Sequence, residues 1–126
     1  MNGFDRETIE TIIKQSEDKQ DEELHHDIYG VIYSLGRDAE NSEEFQYAYD
    51  KLLKLCKHIN PHVRASSILG LSLLAGSGIL KKEILVPIIA EEWKKNREYR
   101  GVIHDAVNDL NCWLNWGINL ESDFSA

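Results

Sequence analysis

An apolar ruler fits this 126-residue sequence three times. From Leu24, offsets of 4, 7, 8 and 11 give Ile28, Val31, Ile32 and Leu35, the single apolar stripe of an amphipathic helix. From Val63 the same offsets give Ser67, Gly70, Leu71 and Leu74, and from Tyr99 they give Ile103, Ala106, Val107 and Leu110. Eleven residues before each origin stand Ile13, Leu52 and Ile88, so the recurring unit is a pair of helices. A two-helix unit with a period near 40 cannot bury its apolar face alone and must stack on its neighbours.

No segment alternates with period two, and the chain is predicted to be all-α. Helices are expected at about 5–17, 22–37, 42–58, 61–75, 82–95 and 98–116. They form three antiparallel hairpins (5–37, 42–75, 82–116) in one domain, with a partly frayed tail over 117–126. The punctuation agrees. Asp21 precedes the second helix, Ser42 is expected to cap the third, and Asn60-Pro61 opens the fourth. Gly36-Arg37-Asp38 is expected to close the second helix, and Gly76-Ser77-Gly78 to turn the chain after the fourth.

The residues Leu52-Leu53-Lys54-Leu55-Cys56, then Asn60-Pro61-His62-Val63-Arg64 and Gly70-Leu71-Ser72-Leu73-Leu74, resemble a HEAT repeat. In that family leucines close the first helix and a Val-Arg pair opens the second. Residues 82–114 are similar, with Tyr99-Arg100 for Val-Arg and Pro87 at a common first-helix proline, whereas 5–37 carry Leu24-His25 instead. The resemblance implies a short α-solenoid whose second helices line a concave face. It also implies that Arg64 and Arg100 are structural, each bonding an acid or carbonyl of a neighbouring repeat.

Charge narrows the function. The net charge is −8, divided as −10 over residues 1–50 (14 Asp/Glu against 4 Lys/Arg) and +2 over 51–126 (8 against 10). Such a chain lacks the basic stripe that nucleic acid demands, and no run approaches a membrane span, so neither is an expected partner. The N-terminal residues show no secretory signal, which makes a cytoplasmic location the default. Cys56 and Cys112 lie in helical segments and are expected to be reduced, hydrophobe-like residues.

Chemistry-bearing groups are sparse. His25-His26-Asp27 and the pair His58 and His62 lack the spacing of a metal site and are read as solvated or turn-capping residues; no cofactor is expected. His104, Asp105 and Asp109 have no nucleophile or phosphate loop beside them, so no catalytic residue is assigned. Asp27, Tyr29, Tyr33, Asp105, Asp109 and Trp113 are expected to face one groove, with Trp116 near the stack's end. Asp38, Glu40, Glu43 and Glu44 add an acidic turn.

The expected function is non-catalytic binding of a basic protein by a monomer or weak dimer. In size and charge the chain resembles the immunity proteins of bacterial toxin systems, which implies a cognate toxin, in many cases a basic nuclease, as partner. The alternatives are a HEAT-like adaptor or assembly factor and, less favoured by the residues, an enzyme subunit such as the HEAT-like bilin lyases or DNA glycosylases.

Overall fold

The computed structural model describes residues 5–18 and 26–123. Its helices are α1 (Arg6–Ser16), α2 (Asp27–Arg37), α3 (Ser42–Leu55), α4 (Pro61–Ser72), α5 (Lys82–Lys95), α6 (Arg100–Leu114) and a short α7 (Leu120–Asp123), with a 3-10 turn at Ala75–Ser77. The chain is all-helical, and the first six helices form three stacked hairpins. Asp21 and Leu24, assigned above to the start of the second helix, lie outside the described residues.

Local chemistry sets the helix starts. Asp5 caps α1 by accepting from the Thr8 hydroxyl at 2.7 Å and the Thr8 N–H, bonds that hold its carboxyl below the ordinary carboxylate range. Asn60 caps α4, its side chain accepting from the N–H groups of His62 (2.8 Å) and Val63 (3.1 Å) behind Pro61. The cap of α3 is Asn41 rather than Ser42. Asn41 is extended and accepts from Glu44 N–H at 3.0 Å, while Ser42 is already helical; Glu44 in turn accepts from Glu40 N–H at 2.8 Å.

All twelve offset positions of the ruler are buried. The fourth helix ends at Ser72, earlier than expected, and the chain turns through Ala75–Ser77 to Gly78 at φ 79°. Helix α2 closes at Arg37 with Asp38 as its C-cap, within the expected Gly36-Arg37-Asp38, and the last turn still includes Gly36. The missing side chain of Gly36 admits α4, since a Cβ there would stand 2.4 Å from the Gly70 carbonyl oxygen.

The stacking is readable from bonds. Arg6 donates to Glu43 at 3.0 Å and Tyr47 OH to Glu10 at 2.6 Å, two contacts each 37 residues apart, so α1 and α3 run parallel and in register. Tyr29 meets His62 and Gly36 meets Gly70, so α2 and α4 are parallel too. Helix α4 lies between α2 and α6, and eight of its twelve residues are buried, which is why Ala65, Ser66, Ser67 and Gly70 can be small.

The turn between α3 and α4 is the hub of the stack. His58 is buried; its Nδ1 accepts from Asn60 N–H at 2.9 Å and its Nε2 faces Ser16 Oγ at 3.2 Å, joining the first two hairpins. That geometry requires a neutral ring protonated at Nε2, and burial pushes its pKa down. Arg64 donates from Nε to both oxygens of the buried Glu92 on α5 (2.9 and 3.1 Å) and from Nη1 to the carbonyl of His58, joining the second and third hairpins. Asn96 adds a bond to the Pro61 carbonyl at 2.8 Å. Arg100 acts within its own hairpin instead, donating to the Trp93 carbonyl at 2.8 Å with its guanidinium over the Trp93 ring.

Two expectations for the C-terminal region are corrected. Rather than fraying from residue 117, the described part of the tail, to residue 123, folds back: Asn111 exchanges two 2.8 Å bonds with the backbone of Ile118, and Ile118 and Leu120 enter the core. Cys112 is exposed rather than core-like, while Cys56 is buried and its thiol is pushed up to about 12 by burial and by Glu92; both are free.

Candidate functional site: the face of the second helices

Each second helix carries a ridge of half-buried residues that ends in one large exposed hydrophobic. On α4 the ridge is His62 and Leu69, half-buried, followed at its C-cap by Leu73, exposed; on α6 it is Val102 and Asp109, half-buried, then Trp113, exposed. On α2 it is Tyr29, half-buried, then Tyr33, exposed. Spacings of seven and four keep these residues on one side of a helix.

Where the helices begin, rings stack across them. The His62 and Tyr99 rings are parallel with centroids 4.4 Å apart; Tyr29 meets the other side of His62 at 4.6 Å, and His26 follows at 6.4 Å from Tyr29. Burial in this stack lowers the His62 pKa, partly opposed by Glu98. The sequence reading missed His62 and Tyr99, taking one as half of a histidine pair and the other as a stripe origin. Their signal is a ring at the start of two successive second helices, 37 residues apart.

Toward the other end the exposed residues are apolar. Tyr33, Leu73 and Trp113 are 41%, 41% and 72% exposed, three of the five large hydrophobics that the described residues leave open. Leu73 lies over Gly36, one turn beyond Tyr33. Because Tyr99 is level with His62, position 110 is level with Leu73, and Trp113 sits about 5 Å further along. The three thus make a diagonal row across α2, α4 and α6.

The acids assigned to the site separate into two sets. Asp105, Asp109 and Trp113 follow one another at spacing four along α6, and Asp27 opens α2, so these border the face. The turn of Asp38, Glu40, Glu43 and Glu44 follows the far end of α2, about 14 Å along the helix from Tyr29. Much of it is engaged within the chain. Arg37 pairs with Asp38 at 2.9 Å and holds its carboxyl below the usual range, Arg6 binds Glu43, and Glu44 serves the α3 cap; Glu40 is exposed. Trp116 is half-buried against the core with its carbonyl taken by Lys82 at 2.9 Å, so of the two terminal tryptophans Trp113 is the open one.

Among the described residues no three His, Cys, Asp or Glu side chains converge as metal ligands, and no helix is long and apolar enough to cross a membrane. Comparison of the chain with protein-family models, curated proteins and solved structures returns no match.

Proposed function

We propose that this chain is a non-catalytic, HEAT-like protein-binding module that holds a basic partner on the face of its second helices. The observation that carries this reading is the diagonal row of Tyr33, Leu73 and Trp113, large apolar groups open to solvent on three successive helices and bordered by Asp27, Asp105 and Asp109. Aromatic anchors ringed by polar groups are the usual make-up of a binding hot spot, and a chain of net charge −8 attracts cationic surfaces. In its most specific form the proposal is an immunity or inhibitor protein that covers a basic toxin, argued from size and charge together with a stack that need not rearrange to bind.

The test compares wild type with a Tyr33→Ser/Leu73→Ser/Trp113→Ser variant as bait in lysate of the source cells, at low and high salt, with mass spectrometric identification. A single basic protein retained by the wild type, released by salt and absent from the variant supports the inhibitor reading. Equal retention by the variant removes this face from the interface. The adaptor reading draws on one feature of its own, a cleft beside α1 and α3 lined by Lys14, Lys51, Lys54 and Lys57, and predicts two partners that bind at once.

A further inference from the structure

On the first-helix side, the C-terminal halves of α1 and α3 and the turn after α3 enclose a cleft of about 630 Å³, within the range of ligand-binding clefts. Its charge opposes that of the chain. Lys14, Lys51, Lys54 and Lys57 line it against Glu10 and Glu17, a local excess of two positive charges (4 − 2) in a protein of net −8. Its apolar lining is Ile13, Leu55 and Ile59, and Ile59 is 47% exposed at the lip.

The cleft already holds one carboxylate. Glu10 accepts from Lys51 Nζ at 2.6 Å and from Tyr47 OH at 2.6 Å, and these bonds, with the charge of Lys54, keep its carboxyl below the ordinary range. Lys51 is thereby occupied. Lys14, Lys54 and Lys57 have no ion-pair partner among the described residues, and two of them, Lys54 and Lys57, are three residues apart.

We propose that this cleft binds an acidic, amphipathic peptide segment of a partner protein, seating its carboxylates on Lys14, Lys54 and Lys57 and an apolar side chain on Ile13, Leu55 and Ile59. Charge complementarity selects the acid, and the exposed isoleucine beside the lysines selects a segment that alternates acid with hydrophobe. Nucleic acid fits less well: Glu10 and Glu17 stand inside the cleft and the rest of the surface repels phosphate. This surface is separate from the second-helix face, so it stands or falls independently of the proposal above.

The test is a titration of the full chain with a short peptide alternating Glu and Leu, followed by amide NMR shifts and fluorescence anisotropy. The expected result is salt-sensitive shifts confined to residues 10–17 and 51–59. Binding should fall at least about tenfold in Lys54→Glu/Lys57→Glu, since the reversal sets carboxylate against carboxylate, and should be unchanged in Leu73→Ser/Trp113→Ser. Both lysines are exposed, and an unchanged circular dichroism spectrum shows that the reversal variant is folded. Absence of shifts, shifts on the second-helix face, equal binding of the Gln-for-Glu peptide, or equal binding of a single-stranded oligonucleotide or of pyrophosphate would each overturn the assignment.

Discussion

Alanine at two glycines of the same helix should move stability in opposite directions. At Gly36 an added Cβ would lie 2.4 Å from the Gly70 carbonyl oxygen and 2.9 Å from Leu73 Cβ, neither of which a rotamer change can move. Restoring even 3.0 Å requires α2 and α4 to part by 0.6 Å (3.0 − 2.4) along their whole contact. Overpacking costs about 1–3 kcal/mol, a clash with a backbone atom falls at the upper end of that range, and the helix propensity of alanine returns about 1, leaving a net loss of about 2 kcal/mol. At Gly30 nothing lies within 4 Å, so only the propensity gain of about 0.5–1 kcal/mol remains. Gly70→Ala should be milder than Gly36→Ala, because its nearest backbone contact, the Ile32 carbonyl oxygen, is 3.3 Å away against 2.4 Å at Gly36, and its closer contacts are side-chain ends. Urea unfolding followed at 222 nm would rank the three, and melting points should separate by roughly 3–6 °C per kcal/mol for a chain of this length. Gly36→Ala as stable as wild type, with Gly30→Ala stabilised as expected, would refute the close approach of α2 and α4.

Glu92→Gln should destabilise by about 2–4 kcal/mol, because it leaves the mostly buried Arg64 guanidinium without its counter-charge, while Arg64→Met/Glu92→Leu should recover most of that loss in a double-mutant cycle. His58 titrates near 6.5 when unfolded and lower when folded, so between those values the unfolded chain binds more protons. Its contribution is therefore intact above about pH 6.5 and lost as pH falls through the native value; the downward shift of His62 acts in the same sense. Burial is the main cause at His58, with Arg64 adding to it and Glu17 and the Ser16 bond opposing, and His58→Gln should flatten the pH dependence of the urea midpoint below pH 6.5. An aromatic disulfide reagent should titrate Cys112 in the native protein and Cys56 only after unfolding; rapid reaction of both would contradict the burial of Cys56.

Periodicity made the core legible. A residue that recurs on a stripe must be covered, and every offset position of the ruler is. Residues with one conformational use were legible as well: Asn60 before a proline caps, and Gly78 takes the left-handed turn. Residues with two uses were not. Asn41 and Ser42 both cap well, and the choice between them rests on where the backbone leaves the extended region. Gly36 near a helix end reads as a stop, and α2 does close beside it, yet it also meets Gly70, which belongs to a partner helix that no local pattern identifies. Glu92 reads as surface charge because its burial depends on Arg64, 28 residues away.

The candidate site was legible only where a large side chain fell off the stripe, as Tyr29, Tyr33 and Trp113 do. Helix α4 hid its share, because a helix buried on nearly every side reads as core alone, and its one open ridge of His62, Leu69 and Leu73 becomes visible only when α2 and α6 are placed beside it. The hub then explains why that ridge can serve as a surface. His58 ties the first hairpin to the second, and Arg64 and Asn96 tie the second to the third, through charge-assisted or buried hydrogen bonds that slippage between units would break. A row of side chains spread over three helices has a fixed shape only if the helices keep their register. The polar joints at the turn supply that register, so under the proposed function Tyr33, Leu73 and Trp113 would meet a partner already ordered, with little binding energy lost to ordering them.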